Sequence, residues 1–321
     1  MKGLKLIAAA GISAAALSVS AQAADLYAPV PEQYVASQWD AFLAARIGYT
    51  WFDVPDEEGG FFIGEDDIDL DDWVFDARAT GAYIFANNIG FQGDLTMAIQ
   101  NLGEVDFEGD VGLDAKTTDL AAHLFYREPG SWLIGVIGQY GFTSFDFGGE
   151  GVDFDRYYLG LEGQAYFGAF TLYAQGGYAN VSMDNDFTPD ADGFFLNGQL
   201  RYFATPNWVF IGSAGYQGLE ASQGGDSLDI DVWTLGLHTE YRIDNTPFSL
   251  TLSYDYTNTD FEFDGDGADL DESRIMAGIK LNLGTQTLLE RDRAGASLDP
   301  VRPALFSVPA FMGRGMFDID G

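Results

Sequence analysis

Between Asp72 and Leu102 apolar and polar positions alternate, interrupted only at Ala86-Asn87-Asn88. On the first arm Trp73, Phe75, Ala77, Ala79, Gly81, Tyr83 and Phe85 share one face, opposite Asp76, Arg78 and Thr80. On the second arm Ile89, Phe91, Gly93, Leu95, Met97 and Ile99 share a face, opposite Gln92, Asp94 and Thr96. A period of two predicts two strands. Asn tolerates positive φ, so the interruption reads as a turn. The apolar face is aromatic at its ends and small or aliphatic between. A strand that crosses a membrane between two interfaces requires that order.

The same hairpin recurs along the chain. Gln38–Phe52 sets Trp39, Leu43, Ile47, Tyr49 and Trp51 against Asp40 and Arg46. Thr117–Arg127 sets Leu120, Leu124 and Tyr126 against Asp119, His123 and Arg127. It turns at Pro129-Gly130 into Trp132, Ile134, Val136, Tyr140 and Phe142. Phe154–Phe167 turns near Gly168-Ala169 into Phe170, Leu172, Ala174 and Tyr178. Phe194–Tyr202 turns at Thr205-Pro206-Asn207 into Trp208, Phe210 and Tyr216. Trp233–Tyr241 turns at Asp244–Pro247 into Phe248, Leu250, Leu252 and Tyr254, and a last strand carries Ile275, Ala277, Ile279, Leu281 and Leu283.

The pattern predicts twelve strands, each longer than the ~9–11 residues that cross a bilayer at a tilt. Connections after even strands are short; those after odd strands are longer and rich in Asp, Glu and Gly. The expected fold is all-β: a twelve-stranded antiparallel transmembrane β-barrel with short periplasmic turns and long acidic external loops. Closure removes sheet edges that hydrocarbon could not satisfy. A soluble β-sandwich also alternates, but it has no reason to bracket its apolar faces with aromatics.

Composition sets the compartment. Lys2 and Lys5, the apolar run Leu6–Leu17 and Ala21-Gln22-Ala23 form a secretory signal over 1–23. Residues 24–37 read as an irregular lead with Pro29 and Pro31, 38–284 as the barrel, and 285–321 as a periplasmic C-terminal tail with Pro300, Pro303 and Pro309. The tail carries Arg291, Arg293, Arg302 and Arg314, and its sharper reading is a plug for the lumen or a contact with the cell wall. The chain has no Cys, which excludes a disulfide scaffold. Its formal net charge of −35 excludes a nucleic-acid partner, because phosphate contacts need a basic face.

Charge is sorted by face. Among inward positions the acids are Asp40, Asp76, Asp94, Asp119, Glu162, Glu240 and Asp255. The bases are Arg46, Arg78, Arg127, Arg156, Arg201, Arg242, Arg274 and Lys280. Lipid-facing charges cost about 2–4 kcal/mol at mid-bilayer, so inward placement is expected. These residues, with His123 and His238, form the candidate pore lining. A twelve-stranded barrel is wider than the eight-stranded case that side chains can fill, which favours a water-filled lumen over a packed one.

The acidic excess lies in Asp53–Asp72, Glu104–Asp114 and Asp260–Glu272. Solvated loops are the plain reading. Asp264, Asp266 and Asp269, spaced around Gly265 and Gly267, also offer oxygen ligands suited to Ca²⁺, without the bidentate Glu of a complete calcium loop. No constellation of residues supports catalysis, and no cofactor is expected. The two His lie near Asp119 and Glu240 in sequence and read as hydrogen-bonded wall residues.

The signal peptide, the twelve alternating strands and the loop asymmetry together resemble the porin-like outer-membrane β-barrels of Gram-negative bacteria. The resemblance covers about Gln38–Gly284, is architectural and carries no sequence motif. Such chains often end in an aromatic at the last strand; here Lys280-Leu281-Asn282-Leu283-Gly284 is followed by further chain to Gly321. The resemblance implies an integral outer-membrane protein, inserted by the barrel assembly machinery, in contact with outer-membrane lipid and lipopolysaccharide. It implies a channel for passive diffusion of small hydrophilic solutes or ions. The acidic loops make mild cation selectivity the expectation. The alternative is a non-conducting structural or surface-interaction barrel that displays acidic loops. An autotransporter translocator is disfavoured, since only Ala24–Ser37 separates the signal from the barrel.

Overall fold

The computed structural model describes residues 38–53, 72–106, 110–147, 150–183, 190–223, 226–263 and 266–302. Residues 1–37, which hold the expected signal and lead, the acidic segment 54–71, Asp264 and the chain beyond Arg302 lie outside the described residues. Twelve strands follow in order: β1 Trp39–Asp53, β2 Asp72–Ile84, β3 Ile89–Asp106, β4 Asp110–Glu128, β5 Trp132–Phe147 and β6 Glu150–Phe167. They continue as β7 Phe170–Met183, β8 Ala191–Thr205, β9 Trp208–Gln223, β10 Asp226–Arg242, β11 Phe248–Phe263 and β12 Asp266–Leu283. One short helix, α1 Leu288–Ala294, comes after them.

Each strand pairs antiparallel with its chain neighbours, and β1 pairs with β12 from Ala41↔Leu283 to Asp53↔Asp271. The sheet is therefore a closed barrel with no free edge. Alternation does the rest. Leu159, Leu161 and Leu237 are 66%, 65% and 68% exposed, whereas Gln92 and His123 on the opposite face are 0% exposed. In water that arrangement would be inside out; in lipid it is the only one that keeps polar groups out of hydrocarbon.

Two aromatic girdles bracket the apolar band. At the turn end Tyr83–Phe85, Tyr126–Trp132 and Phe170–Tyr202 stand 5.0, 5.5 and 4.9 Å apart between ring centres. At the other end Tyr49–Trp73, Tyr140–Tyr157 and Tyr216–Trp233 stand 5.8, 5.1 and 4.6 Å apart. The short turns fall where Asn and Gly mark them, with positive φ at Asn88 (66°), Gly130 (70°), Gly168 (56°) and Asn245 (60°).

The external hairpins are taller than the charge pattern suggests. Glu104–Asp114 and Asp260–Glu272 read as loops, yet β3 runs to Asp106, β4 starts at Asp110, β11 runs to Phe263 and β12 starts at Asp266. Around β11 and β12 outward carboxylates alternate with inward apolar groups. Phe261 and Leu270 are buried at 7% and 1% exposure, while Glu262 and Asp269 face outward. Strand pairing satisfies the backbone there.

The described part of the tail departs from the periplasmic placement and follows the reading of a lumen plug. The described part, 285–302, does not hang beneath the barrel. Gly284, at φ +107°, reverses the chain after β12. Thr287 caps α1 by accepting from Glu290 N at 3.0 Å, and the segment then climbs the lumen as far as Arg302. The physical reason is the wall itself, whose buried polar groups need partners that only an inserted segment provides.

The register yields a direct test. Leu161 faces lipid at mid-strand, paired between Val136 and Gly176. Leu161→Arg is expected to cost about 2–4 kcal/mol and to abolish the heat-modifiable folded band on cold SDS gels, while Leu161→Ala retains it. A folded band of equal strength for both would mean that position 161 does not face hydrocarbon.

Candidate functional site in the barrel lumen

The inward charges do not stand free; they form networks layered along the barrel axis. Near the turn end Asp40 Oδ1 accepts from Thr285 N and Oγ1, both at 3.0 Å, and its Oδ2 accepts from Ala296 N at 2.8 Å. Asp40 lies on β1, so this one carboxylate ties the tail to the seam where the barrel closes. Glu240 takes Lys280 at 2.6 Å and Arg291 at 2.7 Å. Arg242 donates to Thr285 O at 2.8 Å. Arg293 donates to Gly168 O and Phe170 O at 3.0 and 2.9 Å, and Leu289 N donates to Pro206 O at 3.0 Å. The helix is thus pinned across the turn end.

The middle layer centres on Asp94, His123 and Glu162, all buried. Arg78 reaches Asp94 and Asp299, both at 2.7 Å. Asp94 also accepts from Thr80 at 2.6 Å and lies 3.2 Å from His123. The other ring nitrogen of His123 meets Glu162 at 2.8 Å, and Glu162 accepts from Tyr173 at 2.8 Å. Arg127 donates to Gly295 O and Ser297 Oγ at 2.7 and 2.6 Å. Arg201 bridges Asp292 and Asp299, both at 2.9 Å. Asp255 pairs with His238 at 2.9 Å and with Arg302.

Other pairs belong to the wall alone. Arg46 and Asp76 form a two-pronged pair at 2.9 and 2.5 Å. Arg156 meets Asp119 at 3.0 Å and also bonds Thr143. Arg274 meets Glu272 at 2.5 Å. All seventeen residues expected to line a pore therefore face the lumen, but their surroundings are not a water column. Residues 285–302 occupy the polar part of it. The external half carries an apolar inner wall, where Phe145 packs on Phe154 and Tyr158 on Phe195 at 5.7 and 5.6 Å. Phe145, Phe195, Ile230 and Leu270 are each no more than 2% exposed, and Val301 joins their cluster. The expectation of a water-filled lumen is corrected accordingly. Charge counting registered the inward acids and bases, but not the inward aromatics above them or the tail between them.

Sequence proximity misjudged the partners of the histidines. His123 meets Asp94 and Glu162 rather than Asp119, which goes to Arg156. His238 meets Asp255 and Arg302 rather than Glu240. The inward pattern placed Gln92, Gln164 and Gln199 on the lumen face but gave no role to them or to Gln139, Gln175 and Gln217. Alternation places them on the inner face, but an amide carries no charge to draw attention. Among the described residues no cluster of His, Asp or Glu has the arrangement of a metal site. Of the calcium candidates, Asp264 is outside the described residues, Asp266 begins β12 and Asp269 faces outward.

Comparison with known families matches residues 159–292 to the outer membrane protein beta-barrel domain, from within β6 through most of α1. The chain is an integral outer-membrane β-barrel protein. No curated protein sequence matches it. Among solved structures it is similar to the translocator domain of the autotransporter NalP from Neisseria meningitidis, with 13% identity over 87% of this chain and 98% of that one, at a TM-score of 0.47. It is also similar to the toluene transporter TodX of Pseudomonas putida, with 11% identity over 78% and 90% of the two chains, at a TM-score of 0.42. The KdgM porin is similar at 12% identity over 74% and 99%, at a TM-score of 0.38.

The outer-membrane barrel keeps Arg291 and Arg293 buried, so trypsin should spare them in the folded protein. Asp40→Ala removes three hydrogen bonds to the tail and leaves two buried N–H groups without a partner, at about 1–3 kcal/mol each. The expected result is tryptic loss of the tail roughly tenfold or more faster than in wild type, with the barrel still heat-modifiable. Unchanged cleavage would remove Asp40 from the role of tether.

Proposed function

We propose that the protein is an outer-membrane channel for small hydrophilic solutes or ions, held shut in its resting state by its own C-terminal segment. The observation that carries this reading is the occupation of the lumen by residues 285–302 through a dense set of polar contacts, with only Leu288, Leu298 and Val301 seated in apolar clusters of the wall. Hydrogen bonds exchange with water at small net cost, about 0.5–1.5 kcal/mol each. Departure of such a segment uncovers apolar wall only where Leu288, Leu298 and Val301 sit. The wall keeps its own pairs after departure, Arg46–Asp76, Arg156–Asp119, Arg274–Glu272 and Lys280–Glu240. The vacated passage would then be charged and wettable.

Mild cation selectivity of the opened state belongs to the same proposal. Asp231, Asp260, Glu262, Asp269 and Asp271 crowd the external ends of β10, β11 and β12. A mouth of one sign concentrates counter-ions, over a range of ~8 Å at physiological salt. Arg127 and Arg201, which the tail now engages, would face the vacated passage and hold anions in transit, so selectivity stays incomplete. The reading assigns catalysis to no residue.

A second reading has its own support. The apolar inner wall of the external half, around Phe145, Phe195 and Ile230, would resist wetting even with the tail gone. Planar-bilayer recording separates the two. Wild type should be almost silent. Asp299→Arg, which sets a third cation against Arg78 and Arg201, should open steps of current whose reversal potential under a dilute KCl gradient has cation-selective sign. A variant that is folded, tail-released and silent would assign the protein to the non-conducting class.

A further inference from the structure

The contacts between the lumen wall and residues 295–302 follow a rule that a simple filler would not need. Gln92 donates to Leu298 O at 2.7 Å and accepts from Leu298 N at 3.1 Å. Gln139 repeats this on Val301, donating to its O at 2.9 Å and accepting from its N at 2.7 Å. In each case one side-chain amide reads both the N–H and the C=O of a single residue, as a neighbouring strand would. Gln164 donates to Ser297 O at 3.0 Å, Gln175 to Asp299 O at 2.9 Å and Gln217 to Arg302 O at 2.7 Å. Arg127 takes Gly295 O at 2.7 Å. Between 295 and 302 every carbonyl except those of Ala296 and Pro300 thus meets a donor from the wall. The donors come from β3, β4, β5, β6, β7 and β9.

Side chains add a pattern. Asp299 sits between Arg78 and Arg201 at 2.7 and 2.9 Å, with Gln199 at 3.1 Å. Leu298 packs with Ile84, Phe125, Leu133 and Tyr173. Val301 enters the apolar cluster above, and Arg302 pairs with Asp255. We propose that the lumen wall is a binding site for an extended peptide, read through its backbone by the glutamines and selected by an acidic side chain next to an aliphatic one. The chain's own residues 295–302 fill this site in cis.

The chemistry argues for an exchangeable ligand. A permanent filler gains as much or more from apolar packing, because buried charge pairs often do no better than hydrophobic replacements. Amide-to-backbone bonds tolerate many sequences, and the charged pocket at Asp299 supplies the selection. A covalently attached segment outcompetes a free peptide through its high effective concentration, so the site shows itself only when the cis segment is weakened.

The test uses the full chain. Asp299→Arg sets a cation against Arg78 and Arg201 without altering any strand. Release of the tail is read by trypsin and folding by heat-modifiable mobility; if the tail stays docked, Asp40→Ala is added. A fluorescent octapeptide of sequence Gly-Ala-Ser-Leu-Asp-Pro-Val-Arg, matching 295–302, is then titrated while anisotropy is followed. The expected result is saturable binding to the released variant and none to wild type, whose site is full. Methylating the peptide's Leu and Val backbone nitrogens removes the bonds to Gln92 and Gln139 and should weaken binding roughly tenfold or more. Replacing its Asp by Lys should abolish binding. No binding of the matched peptide to the folded, released variant overturns the proposal, as does equal binding of the methylated peptide. A tail that stays docked in the double variant also overturns it, because contacts other than those named would then hold the segment. Binding is read without current, so a silent barrel that binds the peptide would count against the channel reading alone.

Discussion

Hydrocarbon accepts and donates no hydrogen bonds, and the whole architecture answers that constraint. It forces the backbone into a sheet closed by β1 on β12. Between the two girdles it also sends the arginines to the inner face, where Arg127, Arg156 and Arg201 are among the buried residues. The constraint then passes inward. Twelve strands leave a lumen too wide for wall side chains to satisfy one another fully, so polar groups on opposite walls need a bridge. Residues 285–302 supply it, with Asp40 fastening the bridge at the barrel seam and Asp299 joining Arg78 to Arg201 at its centre.

The consequence for function lies in the kind of bridge that was built. An apolar plug would be held by lost water contact and would leave a void on departure. This segment is held mainly by amide and charge-assisted hydrogen bonds, which water can replace. The wall pairs that do not involve the tail keep their partners in either state. The lumen therefore has two floors of different character. The polar floor near the turns is suited to exchange of its occupant, and the apolar floor near the external mouth, around Phe145, Phe154 and Phe195, is suited to persistence.

Much of this was legible from the residues alone, and the boundary of legibility has a physical origin. Period-two alternation fixed which side chains of β1 through β12 meet lipid, because the energetic contrast between Leu161 and Gln164 at the hydrocarbon boundary is large. Asn and Gly marked the turns because positive φ leaves few choices. Partners were not legible. Arg201 meets Asp292 and Asp299 from far along the chain, and nothing local to any of the three announces it. The tail's prolines and charges also fit an unstructured segment, so the insertion of 285–302 appeared only as one of two sharper readings. Above the girdle both faces of several strands are apolar or acidic. The alternation fades there, which hid the inward Phe145 and Leu270 and made the tall hairpins look like loops.

The central claim is that residues 285–302 are a structural part of the closed lumen. Hydrogen exchange measured peptide by peptide on the wild-type protein in lipid tests it most directly. The amides of Thr285, Ala296, Leu298 and Val301 donate to wall side chains at 3.0, 2.8, 3.1 and 2.7 Å. The account predicts that peptides covering 285–302 exchange at least ~10³-fold more slowly than an unstructured chain, as protection of buried amides requires. Exchange of that segment at the unstructured rate, beside protected strands β1 to β12, would contradict it.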